Sequence, residues 1–143
     1  MYVCGVFECR PTGLRLNRFS PMKIIELDHV ALYVADTQTS VIFYRDVLEL
    51  EVLPRPAFDF PGAWFSLGGT KQLHLLGNRT EMISGEVLGS RKNHFAVKIE
   101  DMDETEAFLR SKNLTFRGPK ARPDGIRQIF LQDPDGYWIE LNE

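Results

Sequence analysis

The stretch GIRQIFLQDPDGYWIELN, residues 125–142, governs the interpretation of the whole chain. It predicts a β-hairpin of two strands, Ile126–Gln132 and Tyr137–Asn142, joined by Asp133-Pro134-Asp135-Gly136. Proline fixes φ in such a turn, and glycine supplies its positive-φ position. Because side chains alternate between the faces of a strand, Tyr137, Ile139 and Leu141 share the predicted core face, opposite Trp138, Glu140 and Asn142. The pattern holds Glu140 in mid-strand, on the face away from the core.

All three histidines of the chain have a similar setting. His29, His74 and His94 each lie in a short apolar run typical of a strand, with hydrophobic residues on both sides. Each is therefore expected to point away from the residues that pack the core. One such histidine is more often a surface or hydrogen-bonded residue than a metal ligand. The same pattern at all three histidines, together with a matching carboxylate at Glu140, favours a metal site.

The length and composition of the chain indicate one ordinary globular domain. The chain has 143 residues, of which 43% are hydrophobic and 26% charged, and no apolar run approaches the ~20 residues of a membrane helix. The net charge of -3 and the absence of a basic stripe argue against a nucleic-acid partner. Cys4 and Cys9 lack a second pair for a zinc site, which favours reduced thiols. We expect a cytoplasmic protein, with residues 1–21 as an N-terminal extension and residues 22–143 as the domain.

The remaining patterns predict two helices and six further strands. Asp36 is a candidate N-cap for the first helix, and Asp101 with Glu104 resembles a capping box for the second. Residues 54–61, with three prolines, predict an irregular loop, and residues 77–91, with Gly85 and Gly89, predict a long connection. The predicted helices are Thr37–Leu48 and Met102–Ser111, and the predicted strands are Ile24–Val34, Glu51–Leu53, Ala63–Leu67, Lys71–Leu76, Lys92–Ile99 and Leu114–Arg117.

The two halves of the chain repeat each other. A shift of 65 residues superposes His29 on His94, Ala31 on Ala96, Asp36 on Asp101, Phe43 on Phe108, Arg45 on Arg110 and Phe65 on Phe130. One extra residue in the turn at 133–136 then makes the shift 66 and brings His74 onto Glu140. The sequence therefore predicts an α+β fold of two tandem βαβββ modules, about 24–77 and 92–142, which form a curved mixed sheet around one metal cleft.

The four candidate ligands suit one divalent first-row metal. Imidazoles and a carboxylate bind Zn, Ni, Fe, Mn or Co and can leave coordination positions open for water or substrate. The spacings of 45 residues from His29 to His74 and 46 from His94 to Glu140 are too long for a local motif. They make sense only if duplication brings equivalent strands together.

Three segments resemble a known family. The runs LDHVAL (27–32), NHFAV (93–97) and DPDGYWIE (133–140) are similar to the motifs of the vicinal oxygen chelate superfamily. This superfamily includes glyoxalase I, fosfomycin- and bleomycin-resistance proteins, methylmalonyl-CoA epimerase and extradiol dioxygenases. The resemblance covers residues 24–142 and implies paired βαβββ modules.

By this resemblance, the shared metal ligands match His29, His94 and Glu140. The fourth position is Glu in glyoxalase I and Gln in the epimerase, whereas this chain has His74, which departs from true glyoxalase I. The resemblance implies bidentate chelation of a substrate with adjacent oxygens, and Glu140 as a base that leaves the metal transiently. Glu140 as a plain fourth ligand, and His74 as ligand, base or a hydrogen-bond donor to a ligand, remain open.

Substrate contacts are less sharply indicated. Arg127 is a candidate for an anionic substrate group, with a surface arginine as the alternative. Either Trp64 or Phe65 lines the cleft, because the length of the turn at Gly68-Gly69 decides which of them does.

The resemblance implies several functions. The leading one is a metal-dependent lyase or isomerase of glyoxalase I type, acting on a small oxo-compound or its thiol adduct, with glutathione or another thiol as cosubstrate. The alternatives are a fosfomycin-type thiol transferase, an Fe-dependent extradiol dioxygenase and a non-catalytic resistance protein that binds a small molecule. Four intact ligands argue against the last. The family also implies a homodimer with a small-molecule substrate.

Overall fold

The structure is a computed structural model that describes residues 22–81 and 93–143. The predicted N-terminal extension, with Cys4 and Cys9, lies outside the described residues. So does most of the 77–91 connection, with Gly85 and Gly89. Within the two described ranges, no helix is both long and apolar enough to cross a membrane.

The elements follow the predicted order, β-α-β-β-β twice. The first helix continues into a π-helical turn, whereas a regular α-helix was predicted to Leu48. The elements are β1 His29–Tyr33, α1 Thr37–Ile42 with the π-helical turn Phe43–Val47, β2 Val52–Leu53, β3 Gly62–Ser66, β4 Gln72–Leu76, β5 His94–Lys98, α2 Met102–Ser111, β6 Phe116–Ala121, β7 Arg127–Gln132 and β8 Trp138–Asn142.

Each module forms its own four-stranded mixed sheet. The strand orders are β1-β4-β3-β2 and β5-β8-β7-β6, so the first and last strands of each module pair in parallel. Ala31 lies opposite His74 in one sheet, and Ala96 lies opposite Glu140 in the other. The α+β class and the tandem modules are thus confirmed, and His74 and Glu140 occupy equivalent positions.

The extra residue of the second module was predicted at the wrong position. Trp64 lies opposite His74, and Phe130 lies opposite Glu140, so Phe130 corresponds to Trp64 and not to Phe65. The connections within the two hairpins, residues 67–71 and 133–137, have the same length. The starts of the two helices correspond at a shift of 65 residues, whereas β3 and β7 correspond at a shift of 66. The extra residue therefore lies between the start of α2 and β7.

One apolar core joins the two modules. It contains residues from both sheets and both helical segments: Leu32, Val34, Phe43, Tyr44, Phe65, Leu73, Leu75, Met102, Leu109, Ile129, Leu131 and Ile139. Tyr137 and Leu141 pack against this core, as the alternation in the last strand predicted. Both predicted caps are present, because Asp36 accepts from the Thr39 amide and Asp101 from the Glu104 amide.

The first strand is shorter than predicted. Pairing begins at His29, opposite Gln72 where β4 starts, so residues 22–28 have no strand to pair with in the described structure. Ile24, Ile25 and Leu27 are consequently exposed, at 78%, 96% and 60%. An unpaired apolar segment beside a sheet edge is typical of a surface that another chain covers.

Strand β6 begins later and is longer than predicted. It runs from Phe116 to Ala121 through Gly118-Pro119, with a register shift between Arg117 and Lys120. A proline is tolerated there because β6 is an outer strand and the irregular register removes the need for its N–H.

The Asp133–Gly136 turn also joins the modules. The Asp133 carboxylate accepts from the Tyr44 hydroxyl at 2.8 Å and from the amides of Asp135 and Tyr137. Asp135 accepts from the Ser40 hydroxyl and the Ala35 amide, both at 2.9 Å, and pairs with Arg79 at 2.5 Å. The predicted turn is therefore also an anchor that holds the last hairpin, and Glu140 with it, against the first module.

Candidate metal centre

Two of the predicted ligands, His29 and His74, lie side by side on the outer face of the first sheet. Their rings stack at a centroid distance of 4.1 Å, and the Trp64 indole stacks on the other side of His74, also at 4.1 Å. β1 and β4 are adjacent, and side chains of equal parity share a face, so the stack follows directly from the strand register.

Hydrogen bonds orient both imidazoles. Asp28 Oδ2 lies 2.6 Å from His29 Nδ1, which leaves Nε2 of His29 available to a metal. Gln72 Oε1 lies 2.8 Å from His74 Nε2. Burial, followed by the charge of His29, lowers the pKa of His74. A lowered pKa favours the neutral imidazole that a metal ligand requires.

The other two predicted ligands, His94 and Glu140, meet on the second sheet. His94 Nε2 lies 2.8 Å from Glu140 Oε2, and the His94 ring packs edge-on against Phe130 at 5.9 Å. Glu140 is only 5% exposed, so it is not the solvated outward carboxylate that burial statistics favour. Gln128 Nε2 donates to Glu140 Oε1 and, at 3.2 Å, to Asn142 Oδ1.

Within the described ranges, no three His, Cys, Asp or Glu side chains of one chain come close enough to hold a metal. Each sheet supplies two donors, fewer than the three protein ligands of a typical catalytic zinc site. Together the two pairs supply three imidazoles and a carboxylate, and this donor set fits a divalent first-row metal. We call His29 with His74, and His94 with Glu140, the two half-sites.

Each half-site lies at a free sheet edge. In the described structure β1 pairs only with β4, and β5 pairs only with β8, so each carries an edge without a strand partner. His29 belongs to β1 and His94 to β5, and their companion ligands are one strand further in. A β1 edge placed beside a β5 edge would thus bring the two half-sites together.

The second half-site borders an open depression of about 490 Å³ lined by His94, Ala96, Arg122, Gln128, Glu140 and Asn142. Arg122 is the arginine among these lining residues. Arg127, the sequence candidate for a substrate anion, instead pairs with Asp103 at 2.5 Å and with Glu143. Parity places Arg127 on the opposite face of β7 from Gln128.

The first sheet distinguishes the two aromatic candidates. Trp64 lies on the histidine face against His74, whereas Phe65 is fully buried in the core. The register fixes this assignment, because Trp64 pairs with His74 and Phe65 with the core residue Leu73. Of the two, only Trp64 lies beside a candidate ligand.

Sequence reasoning missed the polar residues that hold the ligands. Asp28 directly precedes His29, and Gln72 lies two residues before His74 on the same face, so both carried a readable signal. Gln128 could be found only from the hairpin register, which pairs it with Asn142 beside Glu140. Arg122 lies in the connection before β7, where strand parity gives no guide.

The chain is similar in sequence to known proteins. The chain is 28% identical over 127 residues to Glyoxylase I 4 of Arabidopsis thaliana, covering 85% of this chain and 72% of that protein. It is 27% identical over 124 residues to the metallothiol transferase FosB of Staphylococcus epidermidis, covering 85% and 83%.

The fold comparison agrees. A glyoxalase family protein from Enterococcus faecalis superposes with a TM-score of 0.70 at 27% identity, covering 85% of this chain and all of that one. The family model of the Glyoxalase/Bleomycin resistance protein/Dioxygenase superfamily matches residues 26–141, which include both half-sites. The chain therefore belongs to the Glyoxalase/Bleomycin resistance protein/Dioxygenase superfamily.

Proposed function

We propose that this protein is a divalent-metal-dependent lyase or isomerase of glyoxalase I type, acting on a small oxo-compound or its thiol adduct. His29, His74, His94 and Glu140 would hold the metal, and Glu140 would also be the catalytic base. The observation that carries the proposal is the pair of equivalent half-sites, each with two donors and each on a strand beside a free edge.

In this proposal the site forms between two copies of the chain. The β1 edge of one copy would lie beside the β5 edge of the other, so that each site takes His29 and His74 from one copy and His94 and Glu140 from its partner. Twofold symmetry makes two such sites per dimer. The exposed apolar residues Ile24, Ile25 and Leu27, which precede β1, support a covering partner.

When bound, a divalent metal would polarise two adjacent oxygens of the substrate. The protein supplies the proton transfer and the orientation. Glu140 would take a proton from the carbon beside the carbonyl and return it to the neighbouring carbon. Gln128 holds one carboxylate oxygen and leaves Oε2 on the His94 side, and burial of Glu140 keeps water away from it.

The assay that tests the reaction uses the hemithioacetal of methylglyoxal and glutathione. Protein stripped of metal and reloaded separately with Zn, Ni, Co, Mn or Fe is expected to convert it to the thioester, with about one metal bound per chain. The His94→Ala/Glu140→Ala variant should lose both metal and turnover. Full metal occupancy without turnover on this or a related oxo-thiol adduct would contradict the glyoxalase assignment.

A fosfomycin-type thiol transferase is the second candidate. Two observations favour it: the similarity to a metallothiol transferase, and the presence of His74 where glyoxalase I has Glu. Incubating the metal-loaded protein with fosfomycin and a thiol such as cysteine, and following formation of the adduct by mass spectrometry, separates the two reactions.

A further inference from the structure

Arg55 lies on the same face of the first sheet as the histidine pair. A β-carbon built on Gly62 would come within 3.2 Å of both Nε and Nη2 of Arg55. Gly62 and Trp64 are two residues apart in β3 and so share a face, and Trp64 stacks on His74. The guanidinium therefore lies over the backbone of Gly62, which has no side chain, and next to the first half-site.

The surrounding loop holds this guanidinium in place. It lies 4.7 Å from the centroid of the Phe58 ring and 4.9 Å from that of Phe60, and its Nη2 donates to the Phe60 carbonyl at 2.9 Å. Packing against aromatic faces stabilises an arginine and fixes the plane of its donors. Arg55 is consequently oriented before any ligand arrives.

Arg55 has no acidic partner among the described residues. Five other arginines do have one: Arg45, Arg79, Arg110, Arg122 and Arg127 each pair with a carboxylate. The Nε–H of Arg55 is buried and meets no acceptor within residues 22–81 and 93–143. A guanidinium that no carboxylate of the described residues neutralises favours an anion from outside the chain.

A row of neighbouring aromatic rings connects Arg55 with the histidine pair. Phe58 is 47% exposed and stacks on Phe60 at 5.2 Å. Its ring centroid is 6.2 Å from that of Trp64, which in turn covers His74. A flat apolar group can therefore rest on these rings while its anionic end meets the guanidinium, which favours bidentate contact with a carboxylate.

We propose that Arg55, with Phe58 and Trp64, forms a subsite for the carboxylate of an aromatic acid. As a statement about substrate, this rests on the proposed function, because the subsite would then select aromatic oxo-acids beside the metal. The binding of an aromatic carboxylate to the subsite does not itself need the metal.

Phenylglyoxylate is the probe, since it combines a ring, a carboxylate and an adjacent oxo group. Its affinity for the full-length, metal-free protein is measured by calorimetry and by quenching of tryptophan fluorescence. We expect Arg55→Met to weaken binding at least about tenfold and Arg55→Lys to weaken it less, because lysine keeps the charge without the planar fork. Arg45→Met, which removes an exposed arginine paired with Asp46, should bind the probe as the wild type does.

Two further ligands test the subsite on the wild-type protein, so the result does not depend on how the variants fold. The uncharged methyl ester of phenylglyoxylate and the ringless pyruvate should both bind at least about tenfold more weakly than phenylglyoxylate. Equal binding of acid and ester, no binding of phenylglyoxylate, or equal affinity in Arg55→Met would overturn the subsite. The metal content of the same protein after separate reloading with zinc keeps this outcome distinct from failure of the metal site.

Discussion

At the scale of single residues, Glu140 depends on its neighbour Gln128. The amide of Gln128 donates to Glu140 Oε1 and connects it to Asn142. A carboxylate that is 5% exposed has little water to replace this bond. Gln128 therefore positions the ligand without having to touch the metal itself.

Replacing Gln128 by methionine should weaken metal binding about tenfold, because residues that orient a ligand typically contribute that much. Glu140→Gln should weaken it more, since it removes the charge of the ligand itself. Competition with a chromophoric chelator measures both. Gln132→Met is the matched control, because Gln132 lies on the same strand and its side chain, among the described residues, bonds only the Gly136 carbonyl. Equal metal affinity for Gln128→Met and Gln132→Met would contradict the role of Gln128.

The lowered pKa of His74 predicts a pH dependence of stability. Burial, and then the charge of His29, lowers the pKa of His74 from its ordinary value of 6.5. The unfolded chain then binds more protons than the folded chain near and below that pH, so His74 contributes stability above pH 6.5 that is lost as pH falls through its folded-state pKa.

His74→Phe keeps a ring beside Trp64 but removes this titration. Urea unfolding of metal-free protein at pH 7.5 and pH 5.5 should show a larger loss of stability in the wild type than in the variant. Equal losses in both proteins would show that His74 titrates normally.

The face on which a side chain lies could be predicted wherever alternation along the strand alone decides it. The outward faces of His29, His74, His94 and Glu140 follow from apolar neighbours at alternating positions, and the structure has all four on those faces. Trp64 and Phe65 could not be distinguished, because one residue more or less in a turn exchanges the faces of a strand. Gln128 and Arg55 were missed because their contacts depend on neighbouring strands and loops.

At the scale of elements, the Asp133–Gly136 turn does more than reverse the chain. Asp133 is buried, the side chain of Asp135 is only 6% exposed, and both accept hydrogen bonds from the first module, at Tyr44, Ser40 and Arg79. Burial raises the pKa of Asp133, although the Tyr44 hydroxyl opposes this. The turn thus fixes where β8, and Glu140 on it, lies relative to the first module.

Asp133→Ala should lower the free energy of unfolding by about 3 kcal/mol, because it leaves the Tyr44 hydroxyl and two backbone amides without an acceptor. Asp133→Asn keeps an acceptor for the amides and offers a donor to the Tyr44 oxygen. Its cost should therefore stay within about 1 kcal/mol. Chemical denaturation measures both variants. A large loss in the asparagine variant would show that the negative charge itself is required.

The order of the elements was predictable because the hydrophobic periodicities of strands and helices, and both helix caps, depend on residues that are close together in the sequence. Three boundaries were not. The first strand begins only where β4 begins, at His29 opposite Gln72. The register of β6 with β7 sets the bounds of β6, and the π-helical turn at 43–47 buries Phe43 and Tyr44 in the core. Each of these depends on contacts made by distant residues.

At the scale of the whole molecule, the repeat predicts equivalent ligands but not where the two pairs meet. In one chain the half-sites remain on separate sheets, each beside a free edge. The proposed metal site therefore requires a dimer. Sedimentation equilibrium should give twice the chain mass of 16.4 kDa, and Leu27→Asp should shift the equilibrium toward monomer by charging a surface that the partner covers. A wild-type monomer with a full complement of metal would contradict this arrangement.

The most direct test of the shared site mixes two inactive variants. His29→Ala/His74→Ala lacks one half-site, and His94→Ala/Glu140→Ala lacks the other, so neither should bind metal alone. After unfolding and refolding together, half of the dimers are mixed, and each mixed dimer has one intact site of its two. The mixture should therefore regain about a quarter of the wild-type metal content. Recovery near that level is the result expected here, and a mixture as empty as its two components would contradict a site shared between chains.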